Sequence, residues 1–269
     1  FIAACASVLA VALICIFLFA NGVPAMKEIG FVKFITGEMW KPNNKIFGIL
    51  PMIVGSIYVT AGAILIGVPI GILTSVFMAM YCPKRIYKPL KAATELLAGI
   101  PSIVYGFFGL VVIVPAMQKI FSTSGKGILT ASLLLGIMIL PTIIEVTESS
   151  LRAVPTSYYE GSLALGATKE RTIFKSVMVA AKSGVMSGVI LGIGRAIGET
   201  MAVIMVAGNQ AAIPTSVLSG VRTLTANIVL EMAYAADLHR DALIATAVVL
   251  FVFILIINVC FSLVKRRNG

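Results

Sequence analysis

The chain has 269 residues, of which 59% are hydrophobic and only 12% charged, with a mean hydropathy of +1.04. That balance excludes a soluble globular domain and calls for a bilayer. The net charge of +10 would suggest a nucleic-acid partner in a soluble protein, but here the charges cluster between long uncharged runs, which is the pattern of membrane topology.

Residues 1–26, 46–83, 96–118, 127–144 and 242–264 contain no Asp, Glu, Lys or Arg. Each approaches or exceeds the roughly 20 residues that cross a bilayer core. With the stretch 184–207, uncharged except for Arg195 and Glu199, they predict six spans at about 1–20, 48–80, 96–117, 128–147, 184–207 and 242–264. The chain starts at Phe1 rather than Met. A short preceding piece is therefore expected, and span one reads as retained, not cleaved. A loop with Trp40, Pro42 and Asn43-Asn44 follows as an interfacial turn. Span two is overlong, and Gly67-Val68-Pro69 is its expected bending point; two shorter spans with a turn in 62–71 are the alternative. The basic loop 83–91 leads to span three, with Glu95 near its start and Gly99-Ile100-Pro101-Ser102 inside. Span four closes through Pro141 and Glu145. Residues 148–183 form a polar loop that is expected to be mostly helical, since Ser157–Lys182 lacks proline. After span five, the apolar spacing of Leu224, Ile228, Val229 and Met232 predicts a short interfacial or re-entrant helix over 225–236.

Placing the N-terminus in the cytoplasm puts Lys84, Arg85, Lys88, Lys91, Arg152, Lys169, Arg171, Lys175, Lys182, Lys265, Arg266 and Arg267 inside. Lys27, Lys33, Lys41, Lys45, Lys119, Lys126, Arg222 and Arg240 then fall outside. The excess of inner positive charge favours this orientation, with both termini cytoplasmic.

Catalytic chemistry has little to work with. Cys5, Cys15, Cys82 and Cys260 form no C-x-x-C or Cys/His cluster and read as small apolar fillers, so no metal site is expected. The single histidine, His239, is expected to be a solvated helix-end residue. No G-x-x-x-x-G-K-[ST] occurs, and Ser124-Gly125-Lys126-Gly127 lacks the hydroxyl residue, so no nucleotide site is expected in this chain.

Two constellations carry information. Gly184, Gly188, Gly192, Arg195 and Glu199 recur at steps of four, four, three and four, which in one helix keeps them on one face. Glycines there suit close helix packing. The charges could form a self-neutralising pair, but a charge at mid-bilayer costs roughly 2.5–3.5 kcal/mol, and Arg before Glu is the weaker order for helix support. A guanidinium fork suited to oxyanions, moderated by a carboxylate, is the sharper alternative. The second constellation is Glu160-Gly161-Ser162 followed by Gly166-Ala167-Thr168, between spans four and five.

On those residues the chain resembles the permease subunits of ABC importers, whose cytoplasmic loop carries Glu-Ala-Ala and then a glycine. Glu160 and Gly166 match in identity and spacing; Gly161 and Ser162 stand for the two alanines. The later Ile-x-Leu-Pro element is replaced by Ser176, Met178 and Val179. The run Gly192–Val203, with Glu95–Gly109 and Pro141–Pro155, is similar to the PstC-type permeases of bacterial phosphate importers, and Met201-Ala202-Val203 separates it from the sister PstA type. The resemblance implies an all-α integral membrane fold of the type I importer kind, six helices and a helical ATPase-docking loop at 148–183. It also implies Arg195 and Glu199 as transport-critical residues in a bacterial cytoplasmic membrane. The implied partners are a PstA-like second permease, two PstB-like ATPase subunits holding ATP and Mg, and a PstS-like extracytoplasmic phosphate-binding protein. A permease for another oxyanion, a channel or secondary transporter without an ATPase, and a structural scaffold are the competing expectations.

Overall fold

Long uncharged runs become long helices because only an intrahelical ladder satisfies every backbone polar group in lipid. The computed structural model describes residues 1–267, with the side chains of 261, 262 and 264–267 excepted. The side chains of Lys265, Arg266 and Arg267, counted above for orientation, lie outside the described residues. Helix α1 (Ile2–Ile29) outlasts the predicted span: Pro24 is tolerated, Asn21 bonds back to the carbonyl of Phe17, and the helix ends at Gly30, whose φ of 93° is open to glycine. A short helix α2 (Phe31–Thr36) and a hairpin of β1 (Trp40–Lys41) and β2 (Ile46–Phe47) follow. Trp40 pairs with Phe47 and Lys41 with Ile46 across a tight turn at Pro42–Asn44.

Helix α3 (Leu50–Tyr81) runs unbroken through Gly67-Val68-Pro69; its irregularity is instead a wide turn at Phe77–Tyr81. Helix α4 (Lys84–Gly99) is amphipathic and stops at Ile100, which Pro101 drives into an extended conformation (φ −69°, ψ 126°). Helix α5 (Ser102–Phe121) therefore starts six residues later than the predicted third span. Helix α6 (Ile128–Arg152) is the central element, extending past the predicted end at 147 because Glu148 is buried and paired within it.

The polar stretch is mostly helical, as α7 (Thr156–Ala164) and α8 (Lys169–Ala180), and α8 meets α9 (Lys182–Gly198) at a 74° bend. The expected fifth span over 184–207 is not one helix. Glu199 is extended (φ −68°, ψ 131°), and helix α10 (Met201–Val206) begins beyond it. Among the described residues, five helices are long and apolar enough to cross a membrane, six if the bent pair α8–α9 counts as one. On the face opposite α7 and α8, α11 (Leu224–Met232) is capped by the Thr223 hydroxyl, which accepts from the Ala226 N–H at 3.2 Å. Helix α12 (Asp237–Arg267) closes the chain.

Small residues set the packing. Along α3, Gly62 sits on Ser132, Gly67 on Ile139 and Gly71 on Ile143 of α6, and the Ser132 hydroxyl donates to the Val59 carbonyl at 3.1 Å. One core gathers Val59, Tyr105, Leu134, Met138 and Val206; a second joins Phe34, Trp40, Met52, Leu224 and Leu243; a third joins Val76, Leu151, Ile173 and Val185 below α6. Helix α1 packs mainly on α12, where Gly22 meets Ala245 and Val248 and Phe19 lies edge-on to Phe251, and its residues before Cys15 are exposed.

Candidate anion path and docking loop

Helix α9 lies on α6 through glycine. Gly184 abuts Ser150, Gly188 abuts Thr147 and the Ile143 carbonyl, and Gly192 abuts the Ile143 side chain, all on buried surface or at its edge. These contacts fix α9 antiparallel to α6 and set Arg195 level with Thr142. Arg195 is half-buried, and its Nη1 donates to Thr142 Oγ1 at 3.4 Å.

Glu199 departs from the expectation. It does not share the helical face of Arg195, because α9 has ended, and the ion pairs among the described residues all lie elsewhere. Its Oε1 accepts from the backbone N–H groups of Thr200 (3.1 Å) and Ala202 (3.3 Å), so the carboxylate starts α10. Orphan donors at a helix start attract a carboxylate, and a local cap of this kind displaced the i,i+4 pair. The Glu199 carbonyl accepts from Thr225 Oγ1 at 3.1 Å, which ties the break to α11. Gly194 and Gly198 face open space: a Cβ on either would meet nothing within 4 Å. Neither glycine therefore adds a side chain next to the guanidinium.

The loop residues also take definite places. Glu160, Gly161, Gly166 and Thr168 are exposed, while Ser162 and Ala167 are half-buried. Gly166 has φ +84° between α7 and α8, a conformation that suits a residue without Cβ. The turn is held by the Gly166 N–H on the Leu163 carbonyl (2.9 Å), the Ala167 N–H on the Ser162 carbonyl (3.2 Å) and the Ser162–Thr172 hydroxyl pair (2.9 Å). Thr168 Oγ1 accepts from the Arg171 N–H at 3.3 Å and caps α8. Leu165, 92% exposed at this tip, carries an apolar side chain into solvent. Sequence reasoning passed over it, although an apolar residue directly before a turn glycine is a readable sign of a contact surface.

Two buried carboxylates also escaped the sequence. Glu148, 2% exposed, accepts from Tyr87 Oη (2.7 Å), Arg152 Nε (2.7 Å) and Lys91 Nζ (3.3 Å). Arg152 also donates to the Met78 carbonyl at 2.9 Å and lies over the Tyr87 ring, so α3, α4 and α6 are tied at one point. The Glu148 carboxylate pushes the Tyr87 phenol above its ordinary pKa. Lys169 lies 4.5 Å over the Tyr81 ring and links α8 to the end of α3. At the opposite face, Glu231 accepts from Trp40 Nε1 (2.7 Å) and Arg222 Nη1 (2.6 Å), and pairs with His239 Nε2 (2.8 Å). His239 is thus not a solvated end residue; it packs on Trp40 and Phe47 and is only 15% exposed. A hydrophobic residue count cannot foresee such knots, since their members lie up to 191 positions apart.

The profile of the family described as "Binding-protein-dependent transport system inner membrane component" matches residues 67–268. The chain is 37% identical over 265 residues to the phosphate transport system permease protein PstC of Mesorhizobium japonicum, covering 91% of this chain and 81% of that one. It is 39% identical over 271 residues to the probable ABC transporter permease protein YqgH of Bacillus subtilis, with 96% and 87% covered. Among solved structures, an inward-facing MetNI methionine ABC transporter superposes with a TM-score of 0.66 at 19% identity, over 86% of this chain and 100% of that one. A bacterial alginate ABC transporter gives 0.61 at 14% identity, over 97% and 93%. The matched profile spans most of the chain, and the chain belongs to the family of binding-protein-dependent transport system inner membrane components.

Proposed function

We propose that this chain is the permease subunit of an ATP-driven importer of inorganic phosphate, working by alternating access in the cytoplasmic membrane. It is a transport subunit and not an enzyme. The substrate class follows from relatives named PstC, such as that of Mesorhizobium japonicum, whose names specify phosphate, and from the chemistry at α9. The single observation that carries it is Arg195. A half-buried guanidinium in a helix bordered by apolar packing, with one long hydrogen bond to Thr142 and no carboxylate partner among the described residues, is available to an oxyanion. Arg195 would receive the phosphate oxygens, and Glu199, bound into the break after α9, would hold the guanidinium's helix end in place.

The loop supports an energy partner. An exposed turn with Glu160, Gly166 and Leu165 at its tip, standing on short polar helices, fits a groove on a soluble ATPase better than it fits lipid. We infer two PstB-like ATPase subunits carrying ATP and Mg, a PstA-like second permease and a PstS-like phosphate-binding protein on the opposite side. Both termini and the 148–183 segment then face the cytoplasm, consistent with the excess of Lys and Arg on that side.

The test is purification of the chain from its native membrane with its co-purifying partners, followed by ATP-dependent phosphate uptake in proteoliposomes. Arg195→Lys keeps the charge but loses the planar fork, so uptake should fall by roughly tenfold or more, the scale of one lost charge-assisted bond. The assembled complex should remain intact. Uptake at wild-type rates in the variant would remove Arg195 from the path; no phosphate uptake by the wild-type complex would overturn the substrate.

A further inference from the structure

One carboxylate stands on the same side of α6 as Thr142, the guanidinium's hydrogen-bond partner, and it has no role so far. Glu145 is exposed on a helix most of whose surface is buried, and no hydrogen bond or ion pair engages it among the described residues. It lies three residues after Thr142, so the two occupy adjacent places on one helical face, about one turn apart. The direction of that turn is set by the glycine contacts. Gly184 meets Ser150, Gly188 meets Thr147 and Gly192 meets Ile143, so the α7–α8 end of α6 lies beyond Glu145 as seen from Arg195. Glu145 therefore comes next after Arg195 on the way to the docking loop. A carboxyl side chain on a membrane helix with neither partner nor packing use among the described residues calls for a functional reason.

Charge balance supplies that reason. Glu199, the acid that the sequence pairs with Arg195, is occupied by the N–H groups of Thr200 and Ala202. When no anion is bound, Arg195 lacks a counter-charge on its own helix. A carboxylate and a phosphate oxygen pair compete for the same planar fork, because both are bidentate acceptors of similar spacing. Gly194 and Gly198, the near neighbours of Arg195 on α9, meet nothing within 4 Å at the Cβ position, so α9 itself sets no side-chain barrier to such an exchange.

We propose that Glu145 is the release-side counter-ion of Arg195. It takes the guanidinium as phosphate departs toward the docking-loop side, and repels the anion that has left. The inference rests on the phosphate reading above. It makes Glu145 a determinant of release, and not of capture. Removing its charge leaves the anion on Arg195 longer, so apparent affinity rises while turnover falls.

The experiment uses the complete co-purified complex in proteoliposomes, with phosphate uptake and phosphate-stimulated ATP hydrolysis followed together. Glu145→Gln should lower the KM for phosphate roughly three- to tenfold and lower the maximal rate by a similar factor, the pattern of a lost ground-state competitor. Glu145→Asp, which keeps the charge, should restore most of the rate. Unchanged KM and maximal rate in Glu145→Gln would overturn the proposal, and so would a raised KM. Loss of the second permease from the Glu145→Gln complex would also overturn it, because Glu145 would then be an interface residue. Failure of the phosphate reading is distinguishable, since the wild-type complex itself would then move no phosphate.

Discussion

Glu199 Oε1 already serves two backbone donors, and this decides what its replacement should do. Glu199→Gln retains an oxygen in the same place, so the start of α10 persists and the complex should assemble at wild-type yield. Glu199→Leu removes the acceptor, which costs about 0.5–2 kcal/mol for a helix cap and should lower the melting temperature of the purified complex measurably. Equal melting temperatures for the two variants would exclude the capping role. The spacing of Arg195 and Glu199 was legible in the sequence, and so was the presence of charge in an apolar stretch. The break between them was not. Periodicity registers which residues share a face only while the helix continues, and a carboxylate that starts a new helix has the same spacing as one inside an old one.

At the scale of the element, the glycines of α9 divide into two kinds that composition alone does not separate. Gly188 is closed, with a Cβ meeting Thr147 Oγ1 at 2.9 Å and the Ile143 carbonyl at 3.3 Å, while Gly194 is open. Gly188→Val should force α9 off α6 and reduce the yield of folded complex by roughly tenfold, an overpacking cost of about 1–3 kcal/mol. Gly194→Ala should leave folding intact or improve it by up to about 1 kcal/mol through helix propensity. Yields from size-exclusion chromatography compare the two directly, and equal losses would refute the division. In the proposed docking element, Gly166 faces open space but holds φ +84°. Gly166→Leu thus meets backbone strain and no clash, at about 1–2 kcal/mol for a left-handed L residue. The membrane helices should still insert, while phosphate-stimulated ATP hydrolysis is lost or the ATPase detaches. Wild-type hydrolysis and transport in that variant would remove the docking role. The turn itself could be anticipated from Gly166, since few other residues suit that conformation. The 74° bend between α8 and α9 could not, because no proline or glycine marks Ala181.

For the whole molecule, the uncharged runs gave the number and order of long helices, since the bilayer forces that solution on any chain so apolar. Their ends were less legible, because Glu148 and Asn21 find partners inside helices where isolated polar residues suggest an exit. Orientation can be tested on the same scale. Thr123 is exposed between α5 and α6, and Cys82 is half-buried between α3 and α4. A membrane-impermeant thiol reagent should label Thr123→Cys in sealed cells and reach Cys82 only after permeabilisation; the reverse pattern would invert every side assignment. The pairing of α1 with α12 has a consequence for biogenesis. Gly22 of α1 meets Ala245 and Val248 only once α12 has been made. Until then the packing of α1 is confined to its end, where Ala25 and Met26 join the core around Phe34 and Met52, so a chain interrupted before α12 carries a membrane helix that lacks most of its partner surface, a feature by which quality-control proteases could distinguish unfinished subunits from finished ones.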